Sequence, residues 1–398
     1  MSVPVGRRDD ERRPAGQPLW FGPKSHPLFG WVHSPVGGLA RGAVVLCPPL
    51  ALELAATQSC YRELARGLAR SGMVAVRFDY EGTGDSSGED DGPARVEAWL
   101  SSIEEAVKLA GACGAERISL LGMRMGALLA AASLGRLGPI ADLVLWDPCS
   151  SGRSFLREQA ALGALHSDVE PIEGPGVELP GFVFGEDTVS DLKALCTKDP
   201  PVPPERILLL ARPNHPGRLE LLERLGTGHQ VGEACGQEDM LEVHPGRRQL
   251  PRHTMEMVTR WLSEPRCPPS SVTVPAQDSA FLGGSAGLTE RALRLGTARL
   301  FAIETLPSVR HEAPTVVILN SGTDWHVGPN RLWVDLARRW ASEGFRCVRM
   351  DESGLGDSLP RAGRPLGLVR APEAFDDIAE ATASLEPQDP SNVIFVGL

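Results

Sequence analysis

The sequence predicts an α/β chain made of two doubly wound units in tandem, each built on a mostly parallel sheet, with the second unit incomplete. Three observations predict it. Short buried aliphatic runs alternate with amphipathic stretches of helical period. Aromatic residues make up only 5% of the 398 residues while Gly (43) and Pro (34) are plentiful, which suits sheet and helix layers joined by many turns. The chain also matches itself without gaps at an offset of 272 residues (44 to 316), and a repeat this long means two domains rather than a solenoid.

The match carries Val44-Val45-Leu46 onto Val316-Val317-Ile318 and Leu64-Ala65-Arg66 onto Leu336-Ala337-Arg338. It continues through Gly72 onto Gly344 and Asp79 onto Asp351, and then takes Gly82-x-Gly84-Asp85-Ser86 onto Gly354-x-Gly356-Asp357-Ser358. After a three-residue insertion it resumes, placing Leu121-Gly122 on Val396-Gly397.

Each element of the first copy has its own reason. Leu28 to His33 reads as an antiparallel strand, and Ala43 to Cys47 as a buried strand stopped by Pro48-Pro49. In Ser59 to Arg70, Tyr61, Leu64, Ala65 and Leu68 recur at helical spacing, and Gly72 ends the helix. Met73 to Phe78 is the next buried strand. A loop from Asp79 to Gly92 precedes a helix from about Arg95 to Leu109, strand Arg117 to Leu121 and a small-residue helix from Met125 to Leu137. Strand Asp142 to Trp146 leads into an irregular insert of about 150–204, whose Pro, Gly and acids suit a cap. Ile207 to Ala211 is a further strand, Arg218 to Leu225 a helix, Met240 to Val243 a weak strand, and Met255 to Leu262 the closing helix. The expected boundaries are a flexible tail (1–18), a first domain (19–264), a linker (265–287) and the front half of a second domain (288–398).

Composition excludes several classes of function. A net charge of −11 without a useful basic run argues against nucleic acid. The N-terminus has no apolar stretch that could act as a signal sequence, and the longest apolar candidate, Ile118 to Leu134, carries Arg124, so no membrane span is expected. Eight scattered cysteines without CxxC pairs or neighbouring histidines indicate neither a metal site nor a disulfide framework. The expectation is a cytoplasmic protein with no cofactor, acting on a small-molecule or acyl substrate, with its domains paired within the chain or in a dimer.

The chemistry concentrates at Gly122-x-Arg124-x-Gly126, between a strand and a helix. There the two glycines let strand and helix approach closely and leave the central residue in a strained turn. An arginine cannot attack, because its guanidinium stays protonated. Its charge also opposes the positive end of a helix dipole, so it is expected to pair with Asp147 or Glu53, the alternative being capture of an anionic ligand. The Glu81 to Ser86 loop lacks the lysine of a phosphate-binding loop and reads as a tight turn, with Asp79 and Asp351 as turn residues.

With Val44 to Leu50, Arg77 to Ser86 and Leu145 to Pro148 in the first copy, and Leu319 to Gly322, Val327 to Arg331 and Asp351 to Ser358 in the second, the chain resembles the α/β-hydrolase superfamily. The likeness is greatest to its serine-aminopeptidase-like and dienelactone-hydrolase-like members and to hydrolases associated with exosortase systems. The resemblance implies a Ser, Cys or Asp nucleophile at the elbow, an acid after a late strand, a histidine after the last strand and backbone N–H groups as an oxyanion hole. Carried over, the oxyanion candidates are Pro49 and Leu50 in the first copy and Ser321, Gly322 and Thr323 in the second. The elbow glycines are Gly122, Gly126 and Gly397. His244 is the candidate histidine and His253 the second, while Arg212-Pro213-Asn214-His215 offers no carboxylate after the late strand. Asp324, Trp325 and His326 are expected to line the second site. The first copy is thus expected to be a pseudo-hydrolase. The residue following Leu398 is expected to be the centre of the second elbow, so the sequence reads as part of a longer chain in which the second copy cleaves an ester, thioester or amide. A binding or scaffold protein, and an acyltransferase or thioesterase serving a biosynthetic pathway, are the rival readings.

Overall fold

The computed structural model describes residues 16–166, 177–179, 182–195, 203–212, 229–282, 287–309, 311–361, 374–386 and 391–397. The first sheet is built from β1 (Gly16–Phe21), β2 (Leu28–His33), β4 (Ala43–Cys47), β5 (Val74–Phe78), β6 (Ile118–Met123), β7 (Asp142–Trp146), β10 (Arg206–Ala211) and β11 (His229–Glu233). Their order across the sheet is β1-β2-β5-β4-β6-β7-β10-β11. β2 runs antiparallel to both β1 and β5, and every later pairing is parallel. A short β3 (Leu39–Ala40) lies outside this sheet.

Helices cover both faces because the central strands are buried on both sides. On one face α2 (Arg95–Ala112) and α3 (Met125–Ser133) bury Val96, Trp99, Ile103 and Leu128 with Val45 and Val76. On the other, α1 (Leu52–Arg70) and α7 (Arg252–Leu262) bury Leu64, Leu68, Val258 and Trp261 with Val44, Leu46 and Val144. This layering, strand order and the sharp turn after β6 make the first unit an α/β-hydrolase fold.

Several expectations need correction. Gly16, Gln17 and Pro18, expected in a tail, form the start of β1, paired with His33, Val32 and Trp31 at the sheet edge, where a proline is tolerated. α1 begins at Leu52 rather than Ser59. The insert is ordered where it is described: α4 (Gly152–His166), a hairpin of β8 (Val177–Leu179) and β9 (Phe182–Phe184), and α5 (Glu186–Ala194). The last strand is β11 at His229–Glu233, and the strand expected near Met240 to Val243 is the short helix α6 (Glu238–Leu241), whose first turn carries Glu238 and Asp239 as the helix dipole favours. The helix expected at Arg218 to Leu225 lies outside the described residues, as does Leu398.

The segment expected to be a linker is strapped to the first unit. β12 (Ser270–Ser271) pairs with β3, and the Trp20 amide donates to the Gln277 carbonyl at 2.8 Å. β13 (Ser279–Leu282) already belongs to the second sheet, with β14 (Leu288–Leu295), β15 (Leu300–Leu306), β16 (Thr315–Ile318), β17 (Cys347–Met350) and β18 (Val393–Val396). That sheet has the order β13-β14-β15-β17-β16-β18. Five of its strands repeat the order and directions of β1-β2-β5-β4-β6. α8 (Leu332–Ser342) and α9 (Ala374–Leu385) are its helices.

The repeated loops have the same internal bonding. Ser86 Oγ accepts from the Phe29 amide at 2.9 Å and donates to the Asp79 carbonyl at 2.7 Å, and Ser358 does the same for Phe301 and Asp351 at 2.8 and 2.7 Å. Gly84 and Gly356 have φ of 50° and 47°, and a Cβ on either would lie within 2.2 Å of the Asp79 or Asp351 carboxyl. The Gly-x-Gly-Asp-Ser sequence is therefore a closed structural turn in both units.

The units meet through these turns and their outer hairpins. Phe29 stacks against its counterpart Phe301 with centroids 6.4 Å apart, and Trp31 packs on Phe301 at 4.8 Å. Arg77 of the first unit binds Asp357 of the second at 2.6 Å, and Arg349, which stands 272 residues after Arg77, binds Asp85, which stands 272 before Asp357. Contacts that exchange in this way are the mark of a two-fold interface, here formed within one chain.

Candidate functional site

Arg124 sits where β6 turns into α3, with φ 54° and ψ −120°, outside the region a side-chain-bearing residue ordinarily adopts. The glycines beside it make the turn possible. A Cβ on Gly126 would lie 2.2 Å from the Pro48 carbonyl oxygen, and one on Gly122 would lie 2.4 Å from that of Gly126. Both obstacles are backbone, so neither position accepts a larger residue without moving strand or helix.

The Arg124 side chain is buried, and all three of its nitrogens are engaged. Nε donates to Glu53 at 2.9 Å, Nη1 to Asp147 at 3.2 Å, and Nη2 to Glu158. The structure therefore brings Arg124, Glu53 and Asp147 together and adds Glu158 from α4, which no local pattern marks. Burial works against the guanidinium charge, but Cys149 and the three carboxylates around it hold its pKa above the ordinary value. Burial raises Glu53 against the pull of Arg124.

Asp147, fully buried at the end of β7, is the centre of this cluster. It also forms an ion pair with Arg212, whose Nε lies 3.0 Å away, and accepts from the side-chain amide of Gln237, which follows the last strand. Gln237 thus reaches into the cluster from the region where the superfamily pattern puts its histidine. An amide there can hold a carboxylate in place but cannot shuttle a proton at neutral pH. His244 and His253 are both exposed. His244 Nδ1 accepts from the nearby Gly246 amide at 3.3 Å, and it follows α6 rather than the last strand. Pro49 and Leu50 are buried beneath the turn that starts α1, where Ala51 has φ 57°.

In the second unit, the Ser321, Gly322 and Thr323 turn is partly exposed, with Gly322 at φ 57° and open space around it. Asn320 is committed to structure, donating to Asp351 at 3.1 Å and accepting from the Glu352 amide at 2.7 Å. His326 lines a small cavity together with Trp325, Asp85 and Asp357. It is buried between the units, with Nδ1 2.8 Å from Asp351 and Nε2 2.7 Å from Asp85. Gly397 follows β18, where Ile394 and Phe395 are exposed. Among the described residues no His, Cys, Asp or Glu cluster could hold a metal, and no helix is long and apolar enough to cross a membrane.

Burial opposes the charge on His326, yet Asp351 and Asp85 raise its pKa to about 10. A histidine raised from about 6.5 when unfolded stabilises the fold fully below that pH, and the contribution is lost as pH rises through about 10. Asp79, pushed up to about 7 by burial and Asp85, changes stability in the same direction but earlier. The melting temperature should therefore fall between about pH 7 and 10, and His326→Gln should flatten that limb. A wild-type Tm that is level across the range would show that His326 is not held charged.

No family model matches the sequence, and no curated protein matches it. Solved structures similar to the chain include Est1E from Butyrivibrio proteoclasticus (12% identity, 62% of this chain and 98% of that one, TM-score 0.44). They also include a putative hydrolase from Agrobacterium vitis S4 (21% identity, 63% and 98%, TM-score 0.40) and the esterase domain of a Rhodothermus marinus protein (15% identity, 62% and 98%, TM-score 0.44).

Proposed function

We propose that the chain is a tandem duplication of an α/β-hydrolase-like unit in which the first copy is a pseudo-hydrolase, serving as a binding partner and support for the second. Hydrolysis of ester, thioester or amide bonds through an acyl intermediate, where the protein performs it, belongs to the second copy. The observation that carries this reading is the engagement of Arg124 by three carboxylates at the point where a nucleophile would attack. The residue has no lone pair to offer, and its neighbours hold a cation instead of activating an anion. An external anion would have to displace Glu53, Asp147 or Glu158 to reach the guanidinium, so the ion-pair role is favoured over an anion pocket at Arg124.

Labelling tests the proposal. Incubated with a fluorophosphonate probe or a thiol-directed probe of acyl-enzyme type, the folded chain should carry no adduct in residues 16–264 beyond that of simple exposed thiols. A mapped, mechanism-dependent adduct on a residue beside Arg124 would overturn it.

A further inference from the structure

The two units treat the same pair of arginines differently. In the second, Arg338 and Arg349 converge on Glu290, a fully buried carboxylate of β14, at 2.9 and 3.1 Å. Their counterparts 272 residues earlier are Arg66 and Arg77. Glu290 lies opposite Thr305, and the residue 272 before Thr305 is His33, whose partner on β1 is Gly16. The first unit therefore has a glycine at the register position of the glutamate. A Cβ on Gly16 would come within 2.6 Å of the His33 ring, so no longer side chain replaces it. His33 takes a donated hydrogen bond from Arg77 Nε at 3.3 Å, and burial together with Arg77 lowers its pKa well below the ordinary value, leaving it neutral.

The place that lacks a carboxylate opens into a cleft of about 950 Å³ between the units. Arg66, Arg70 and Arg77 line it from the first unit, Arg294 and Arg299 from the second. Glu63, Asp278 and Asp357 are the acids of the lining, and two of them are already used, Glu63 by Arg66 at 2.6 Å and Asp357 by Arg77. Arg294 makes no ion pair among the described residues. It stacks over Trp31 and Phe301 at 5.2 and 5.1 Å, and is exposed to the cleft. Burial and a neighbouring guanidinium lower the pKa of Arg66, to about 10, with Arg62 as that neighbour. Arginines crowded in a walled cleft of a protein with net charge −11 form a local positive field, and guanidinium groups grip planar or tetrahedral oxyanions through paired hydrogen bonds.

We propose that this cleft binds a small molecule carrying two or more oxyanion charges, carboxylate or phosphate, held between Arg66 of the first unit and Arg294 and Arg299 of the second. Because the ligand bridges the units, binding stiffens their interface. The site is separate from Arg124 and does not depend on whether either elbow is catalytic.

Isothermal titration of the full chain with inorganic pyrophosphate and, separately, with citrate tests it at low ionic strength. Saturable binding is expected, tighter for pyrophosphate if the ligand class is phosphate and for citrate if it is carboxylate. The Arg294→Gln/Arg299→Gln double variant, whose changes are at exposed positions, should bind about tenfold more weakly. Absence of saturable binding of both probes at millimolar concentration, or a double variant that binds as tightly as wild type, would overturn the proposal.

Discussion

Replacing Arg124 by Met is expected to destabilise the first unit by about 3–5 kcal/mol, because it removes the cation from a buried group of acids and leaves their charges uncompensated. Asp147 is fully buried, and Glu53 is already raised by burial against the pull of Arg124. Asp147 keeps Arg212 and Gln237 after the substitution, whereas Glu53 loses its one side-chain partner among the described residues. The effect should accordingly be largest near neutral pH and shrink as the medium is acidified, since protonation removes the repulsion. Urea denaturation of wild type and Arg124→Met at pH 7 and pH 5 measures both parts. A loss under 1 kcal/mol at neutral pH would mean that Arg124 is not the counter-charge of this cluster.

The second large effect concerns the contact between units. Asp85 faces two buried cations, Arg349 and His326, and its own pKa is held low by them in spite of burial. Asp85→Ala should cost about 3–5 kcal/mol, as is usual when one partner of a buried pair is removed. Asp357→Ala, at the reciprocal position, should cost less, because Asp357 faces Arg77 with a weaker 3.4 Å contact from Gln58 and Arg77 keeps its contact with His33. A double-mutant cycle of Asp85→Ala with Arg349→Met should show a coupling energy well above the ~0.5 kcal/mol scatter of independent sites. Additive losses would show that the two side chains do not pair across the units.

Much of the architecture is legible in the sequence because it follows from period and punctuation. Val44 to Leu46 and Val74 to Val76 are continuous apolar runs, as strands buried on both faces of a parallel sheet require, and Gly72 and Pro48 mark their limits. The 272-residue offset likewise anticipates the shared turn geometry of Asp79 and Asp351, since a glycine at φ near 50° pressed on a carboxyl leaves little freedom of sequence. What was not legible has a physical cause in each case. β1 begins in Gly16-Gln17-Pro18, which carries no alternation. β11 reads His-Gln-Val-Gly-Glu and is largely exposed at the sheet edge, so its hydrogen bonds to β10 define it and its side chains do not. Glu158 enters the Arg124 cluster from a helix of the insert, and Gln237 enters from the loop after that unrecognised strand. The exchange of Arg77 and Arg349 across the units depends on how two folded bodies meet, which no local pattern encodes.

The character of the Arg124 turn is open to one direct measurement, turnover of nitrophenyl acetate and butyrate by the wild-type chain and by Arg124→Ser, each shown to be folded. An ion-pair hub in place of a nucleophile predicts that neither protein exceeds the uncatalysed rate. Turnover by wild type that Arg124→Ser abolishes, or turnover gained by the serine variant, would contradict it.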